Sequence, residues 1–110
     1  MRQGNRTGAW SIALAVAGVL GVAPALATTP RTVEIKEFRY APTVLTVPVG
    51  TTVKWVNHDE EPHTVTSATG RFRSAGLEHD ETFSQTFDAP GTYAYACALH
   101  PHMKATVVVK

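Results

Sequence analysis

The chain has 110 residues, ten lysines and arginines against nine acids, and a formal net charge of +1. That length makes one domain with one modest core, which excludes multidomain enzymes and repeat arrays, while near-neutral charge argues against nucleic acid as a partner. A single cysteine excludes an internal disulfide, the usual staple of a small exported domain.

Arg2 and Arg6 give the chain a positive start, followed by an apolar stretch from Ala9 to Val22. Gly18, Gly21 and Pro24 interrupt it, and Ala25-Leu26-Ala27 supplies the small-x-small pattern of a cleavage site. Residues 1–27 are read as a secretory signal peptide, leaving residues 28–110 as the mature domain, without stable membrane insertion after cleavage. The competing reading is an uncleaved anchor, since the stretch approaches spanning length. Both readings put Thr28–Lys110 outside the cytoplasm. The two arginines are not adjacent, so a Sec-type signal to the periplasm is expected, with folding and any metal uptake after export. The segment holds two basic residues and no acid, so the mature charge becomes −1.

The mature chain reads as short strands. Thr32–Lys36 places Val33 and Ile35 on one side, and Phe38 and Tyr40 resume an apolar face after an irregular step. Thr43–Val49 puts Leu45, Val47 and Val49 together; Val49-Gly50-Thr51 is a turn; Thr51–Asn57 then aligns Val53 with Trp55. After the polar loop His58–Pro62, His63–Ser67 is a β-rich run, and Ala68–Asp80 reads as an irregular connection. Thr82–Phe87 carries Phe83 and Phe87, Ala89-Pro90-Gly91 turns the chain, Thr92–Cys97 aligns Tyr93, Tyr95 and Cys97, and Ala105–Val109 closes the domain. Seven to eight such strands with turn signals between them, and no sustained helical period, predict an all-β sandwich or barrel.

The chemistry concentrates in Cys97-Ala98-Leu99-His100-Pro101-His102-Met103, just past a strand. Thiolate, imidazole and thioether in one tight loop are soft donors that select copper. One Cys, two His and a weak axial Met form the blue-copper set. Pro62-His63-Thr64-Val65 offers the second histidine at a strand start. Zinc would more typically take several Cys or His, or leave a water position, and a thioether is an unusual zinc ligand. The plainer alternatives are a buried free thiol at Cys97, core filler at Met103 and a surface histidine at His63. His58, His79 and His102 are read as solvated. Asp59-Glu60-Glu61 is read as a solvated loop, with electrostatic steering of a basic partner as its functional alternative.

These elements resemble a cupredoxin of the plastocyanin and amicyanin group, a type 1 blue copper family. The likeness runs from about Val33 to Val109 through Phe38-Arg39-Tyr40-Ala41-Pro42, Val49-Gly50-Thr51-Thr52-Val53-Lys54-Trp55-Val56-Asn57, Pro62-His63-Thr64-Val65 and Gly91-Thr92-Tyr93-Ala94-Tyr95-Ala96-Cys97. Two residues separate Cys97 from His100 and two separate His100 from Met103, which resembles amicyanin. The resemblance implies a Greek-key sandwich holding one copper ion, with His63, Cys97 and His100 as equatorial ligands and Met103 as the axial one. It also implies that His100 presents its edge at the surface among Pro62, Leu99 and Pro101, a patch for partner docking. Two departures stand out: Thr64 occupies a place where the family often has Asn bracing the ligand loop, and His102 replaces an aromatic.

The resulting expectation is a monomeric electron carrier, not an enzyme, cycling Cu(II) and Cu(I) between a redox donor and acceptor. By family analogy these are a quinoprotein dehydrogenase and a c-type cytochrome. The alternative is a periplasmic copper carrier or chaperone that transfers the metal rather than electrons.

Overall fold

Alternation of apolar and polar side chains builds the strands, because successive side chains in a strand point to opposite faces. The computed structural model describes residues 28–110, so the expected signal peptide lies outside the described residues. Eight strands follow one another: β1 (Arg31–Lys36), β2 (Arg39–Ala41), β3 (Val44–Val47), β4 (Thr51–Asn57), β5 (Thr66–Ser67), β6 (Thr82–Phe87), β7 (Gly91–Ala96) and β8 (Lys104–Val109). There is no helix among the described residues. The all-β expectation holds, at the upper end of the strand count.

Two four-stranded sheets, β2-β1-β4-β6 and β3-β8-β7-β5, face each other. Val33, Ile35, Val53 and Trp55 of the first sheet meet Leu45, Val47, Tyr95, Val107 and Val109 of the second in one core. Trp55 is its centre, with the rings of Tyr95, Phe83, Phe72 and Phe87 at centroid distances of 5.4, 5.8, 6.2 and 6.4 Å. Each fully buried side chain of this size contributes roughly 1.5–3 kcal/mol relative to leaving it in water.

Both sheets are mixed. β1 pairs with β4 in parallel, Val33 opposite Trp55, and β3 pairs with β8 in parallel, Leu45 opposite Val107. A parallel pair requires a crossover, and here the chain supplies it by passing through the opposite sheet. One consequence positions the site: β1 and β4 end at the same pole. The β1–β2 turn, the β4–β5 loop and the β7–β8 turn converge there, joined by hydrogen bonds from Glu37 to Asp59 and from Ala98 to Thr64.

Two expectations need correction. The run His63–Ser67 is a strand only at Thr66–Ser67. His63 instead exchanges backbone bonds with Leu77, at 3.1 and 2.7 Å, and Val65 N–H donates to Ser74 Oγ at 2.8 Å. His63 and Val65 are thus satisfied by the following loop rather than by a neighbouring strand. Val49 does not join Leu45 and Val47, because β3 stops at Val47 and the chain turns through Gly50 at φ +93°. Tyr93 packs half-buried against the core, on the face of Tyr95 as expected, its hydroxyl donating to Ala89 O at 2.7 Å. The segment Ala68–Asp80 is irregular as expected, but it also sends Phe72 and Leu77 into the core.

Candidate metal centre

The β4–β5 loop supplies His63, and the β7–β8 turn supplies Cys97, His100 and Met103. His63, Cys97 and Met103 are buried and His100 is half-buried. The two Nδ1 atoms of His63 and His100 lie 3.2 Å apart, and Cys97 Sγ lies 4.0 Å from the first and 3.6 Å from the second. A circle through three points at those spacings has a radius of about 2.1 Å. Bonds from a first-row metal to imidazole nitrogen and thiolate sulfur run about 2.0–2.3 Å, so three donors already surround a metal-sized centre. The donor set, two imidazoles and a thiolate with a thioether close by, suits copper.

The ligand turn closes on itself. Met103 N–H donates to His100 O at 2.9 Å and Cys97 N–H donates to Met103 O at 3.1 Å. The sulfur is not left bare: Thr64 N–H donates to Cys97 Sγ at 3.3 Å. Thr64 also performs the bracing expected where the family often has Asn, its Oγ1 accepting the Ala98 N–H at 2.7 Å and bonding Thr66 Oγ1 at 2.9 Å. Beneath it the Tyr40 hydroxyl donates to Thr64 O at 2.6 Å. Burial first, then the neighbouring Cys97 and Tyr95, push the Tyr40 phenol far above its usual range, so it stays a neutral donor.

Asn57, fully buried at the end of β4, sets the His63 loop. Its Nδ2 donates to Glu61 O at 2.9 Å and Leu77 O at 2.8 Å, and its Oδ1 accepts the Asp59 N–H at 2.9 Å. That geometry carries the Asp59 carboxylate under the His63 ring, with Oδ2 2.8 Å from Nε2. Burial acts to raise the Asp59 pKa, but the N–H groups of Phe38 and Glu37 and the His63 ring outweigh it and hold the carboxyl below its usual value.

Residues named from the sequence fall into two groups. His63, Cys97, His100 and Met103 come together. His58, His79 and His102 stay outside and exposed: His58 pairs with Glu34 at 3.6 Å, and His79 lies between Glu60 and Asp80 at 3.5 and 3.3 Å. Leu99 is 52% exposed, Pro101 is exposed and Pro62 is half-buried. The acidic run divides: the Glu60 side chain is 81% exposed, whereas that of Asp59 is 12% exposed and bonded to His63. Asp59 is therefore not a solvated loop residue. Its position four residues before His63 is the signal that marks it. Phe38, read only as part of an apolar face, sets its ring edge-on to both His63 and His100, at 4.9 Å from each.

Comparison with known proteins agrees with this geometry. The cupredoxin-like domain family model matches residues 9–109. Amicyanin of Paracoccus denitrificans is 37% identical over 83 residues, covering 71% of this chain and 63% of the relative. Amicyanin-alpha of Methylorubrum extorquens is 35% identical over 88 residues, covering 71% and 70%. Among solved structures, a purple cupredoxin from Nitrosopumilus maritimus superposes with a TM-score of 0.67 at 32% identity, covering 73% of this chain and 99% of that one. The chain thus spans a little under two thirds of the Paracoccus relative's length. On fold, site and sequence together, the chain belongs to the cupredoxin-like family.

Proposed function

We propose that this chain is a type 1 copper protein that carries single electrons between redox proteins outside the cytoplasm. The observation that carries the reading is the triangle of His63 Nδ1, Cys97 Sγ and His100 Nδ1, with sides of 3.2–4.0 Å. In this reading those three residues, with Met103, would hold the copper ion. Copper bound there supplies one-electron exchange between Cu(II) and Cu(I).

The chain's own part is to keep the donors where both oxidation states accept them. Backbone bonds close the ligand turn, Thr64 ties it to the His63 loop, and Asn57 ties that loop to β4. The Thr64 N–H withdraws charge from the Cys97 sulfur, and this kind of contact tunes the potential. Half-buried His100, with exposed Leu99 and Pro101 and the neighbouring Pro62, forms the docking face. A small patch of that kind suits weak, short-lived redox encounters. The partners in this reading are a donor and an acceptor protein, by analogy a quinoprotein dehydrogenase and a c-type cytochrome, met by a monomer. Residues 1–27 serve as the export signal, residues 28–110 work in the periplasm, and the chain turns over no substrate. Burial of His63 and Cys97 favours retaining the metal over handing it on.

The test is spectroscopic. With one equivalent of Cu(II), the protein is expected to develop an intense visible copper–thiolate band and a reversible one-electron wave, and Cys97→Ser is expected to lose the band. Bound Cu(II) without such a band overturns the reading. Rapid loss of copper to an acceptor apoprotein, with no reversible wave, supports a metal carrier instead.

A further inference from the structure

One carboxylate joins two parts of the pole that lie far apart in the chain. Asp59 Oδ2 meets His63 Nε2 at 2.8 Å and accepts the Phe38 N–H at 2.9 Å, while Oδ1 accepts the Glu37 N–H at 2.7 Å. Glu37 and Phe38 sit at φ +56° and +58°. That is the left-handed pair of a two-residue hairpin turn, which Asn and Gly usually fill. Neither residue here is suited to it, and two hydrogen bonds to an ionised acceptor offset the steric cost. The turn places the Phe38 ring edge-on to both imidazoles, with centroids 4.9 Å away.

We propose that Asp59 is a positioning residue of the redox centre: its carboxylate holds His63 with Nδ1 toward the metal and holds Phe38 across both ligand imidazoles. The inference rests on the copper reading above, and the physical argument has three steps. A neutral imidazole carries one N–H, and an acceptor-only carboxylate at Nε2 puts the proton there, leaving the Nδ1 lone pair free for a metal. The same contact makes the ring a stronger electron donor to a bound metal, which favours the higher oxidation state and lowers the reduction potential. Phe38, anchored through its own N–H, keeps both rings from turning. Glu60 makes no contact of this kind: it reaches His79 instead, with an 81% exposed side chain. The effect therefore belongs to the place of Asp59 and not to the charge of the acidic run.

The experiment compares Asp59→Asn, Asp59→Ala and the exposed-acid control Glu61→Gln in the full chain. Asn keeps the shape of Asp, but it has one accepting oxygen where Asp59 has two, so it cannot accept from the Glu37 N–H, the Phe38 N–H and the His63 ring together. Nitrogen NMR of the copper-free protein reads the His63 tautomer. Wild type is expected to carry the proton on Nε2, and Asp59→Asn to shift it toward Nδ1. With copper bound, both Asp59 variants are expected to lose about 10- to 100-fold in metal affinity, the range for loss of a partner behind a metal ligand, seen as faster release to a chelator. Their potentials are expected to lie above wild type, with Glu61→Gln close to wild type throughout. Unchanged tautomer, release rate and potential in Asp59→Asn overturn the inference. An equal rise of potential in Glu61→Gln overturns it too, since general charge would then be the cause. If Asp59→Ala does not fold, Asp59→Asn alone decides. If the wild type develops no thiolate band, the copper reading fails, and the tautomer measurement still decides whether Asp59 orients His63.

Discussion

The aromatic core and the metal pole are both buried, yet different forces hold them. Around Trp55 the contacts are apolar and undirected, and the Trp55 Nε1 and Tyr95 hydroxyl have no hydrogen-bond partner among the described residues. At the pole, Asn57, Asp59, Thr64 and Tyr40 each place a polar group against a specific partner at 2.6–2.9 Å. Undirected burial supplies stability roughly in proportion to area and tolerates small shifts. Directed bonds fix positions to tenths of an ångström, which a redox centre needs and a core does not. The core should therefore govern whether the protein stays folded, and the pole should govern what it does with a metal.

Three perturbations test that division. The largest effect is expected from Trp55→Ala, which empties the centre of the core and should cost about 3–5 kcal/mol in denaturant unfolding. The visible band of the copper-loaded protein should keep its position; a band displaced by this change would break the division.

A smaller loss is expected from Thr64→Val, which keeps the shape of the side chain and removes the hydroxyl. It leaves the Ala98 N–H without its acceptor, a cost of about 1–3 kcal/mol. Here the metal readout should respond more than stability does, with copper released faster and the band shifted. If copper retention and band both match wild type, the hydroxyl is not the brace of the ligand turn.

The smallest effect lies at the rim. The Asp59 carbonyl accepting from His79 Nδ1 raises the His79 pKa; slight desolvation opposes this, and Asp80 and Glu60 add to the rise. A histidine with a raised folded pKa adds stability that is fully present below its unfolded value, about 6.5. That stability is lost as pH rises through the folded value. His79 is exposed, so the shift should be visible by NMR titration and nearly invisible in unfolding. Glu60→Gln combined with Asp80→Asn should bring the midpoint down, and an unmoved midpoint would remove the carboxylates from the account.

Much of this is legible in the sequence. Strand β4 was readable end to end because its alternation of buried and exposed residues is regular. The ligand turn was readable because three donors fall within seven residues, where spacing alone constrains geometry. The short β5 was misread because composition reports β tendency, whereas pairing depends on which neighbour meets each N–H. For His63 and Val65 that neighbour is the loop carrying Leu77 and Ser74, and for Thr64 it is the Cys97 sulfur. Phe72 and Leu77 were missed as core residues because an irregular segment has no period to betray its buried side.

By itself the sequence determined the class of fold and the chemistry of the donors, since period-two alternation and the identity of side chains are local properties. Tertiary structure alone decided that His63 stands 3.2 Å from His100, because the parallel pairing of β1 with β4 brings three turns to one pole. It also decided the fate of the acidic run. A carboxylate in a charged loop looks the same in sequence whether it faces water or an imidazole, and only the fold of the Asn57 loop turns Asp59 inward and leaves Glu60 outside.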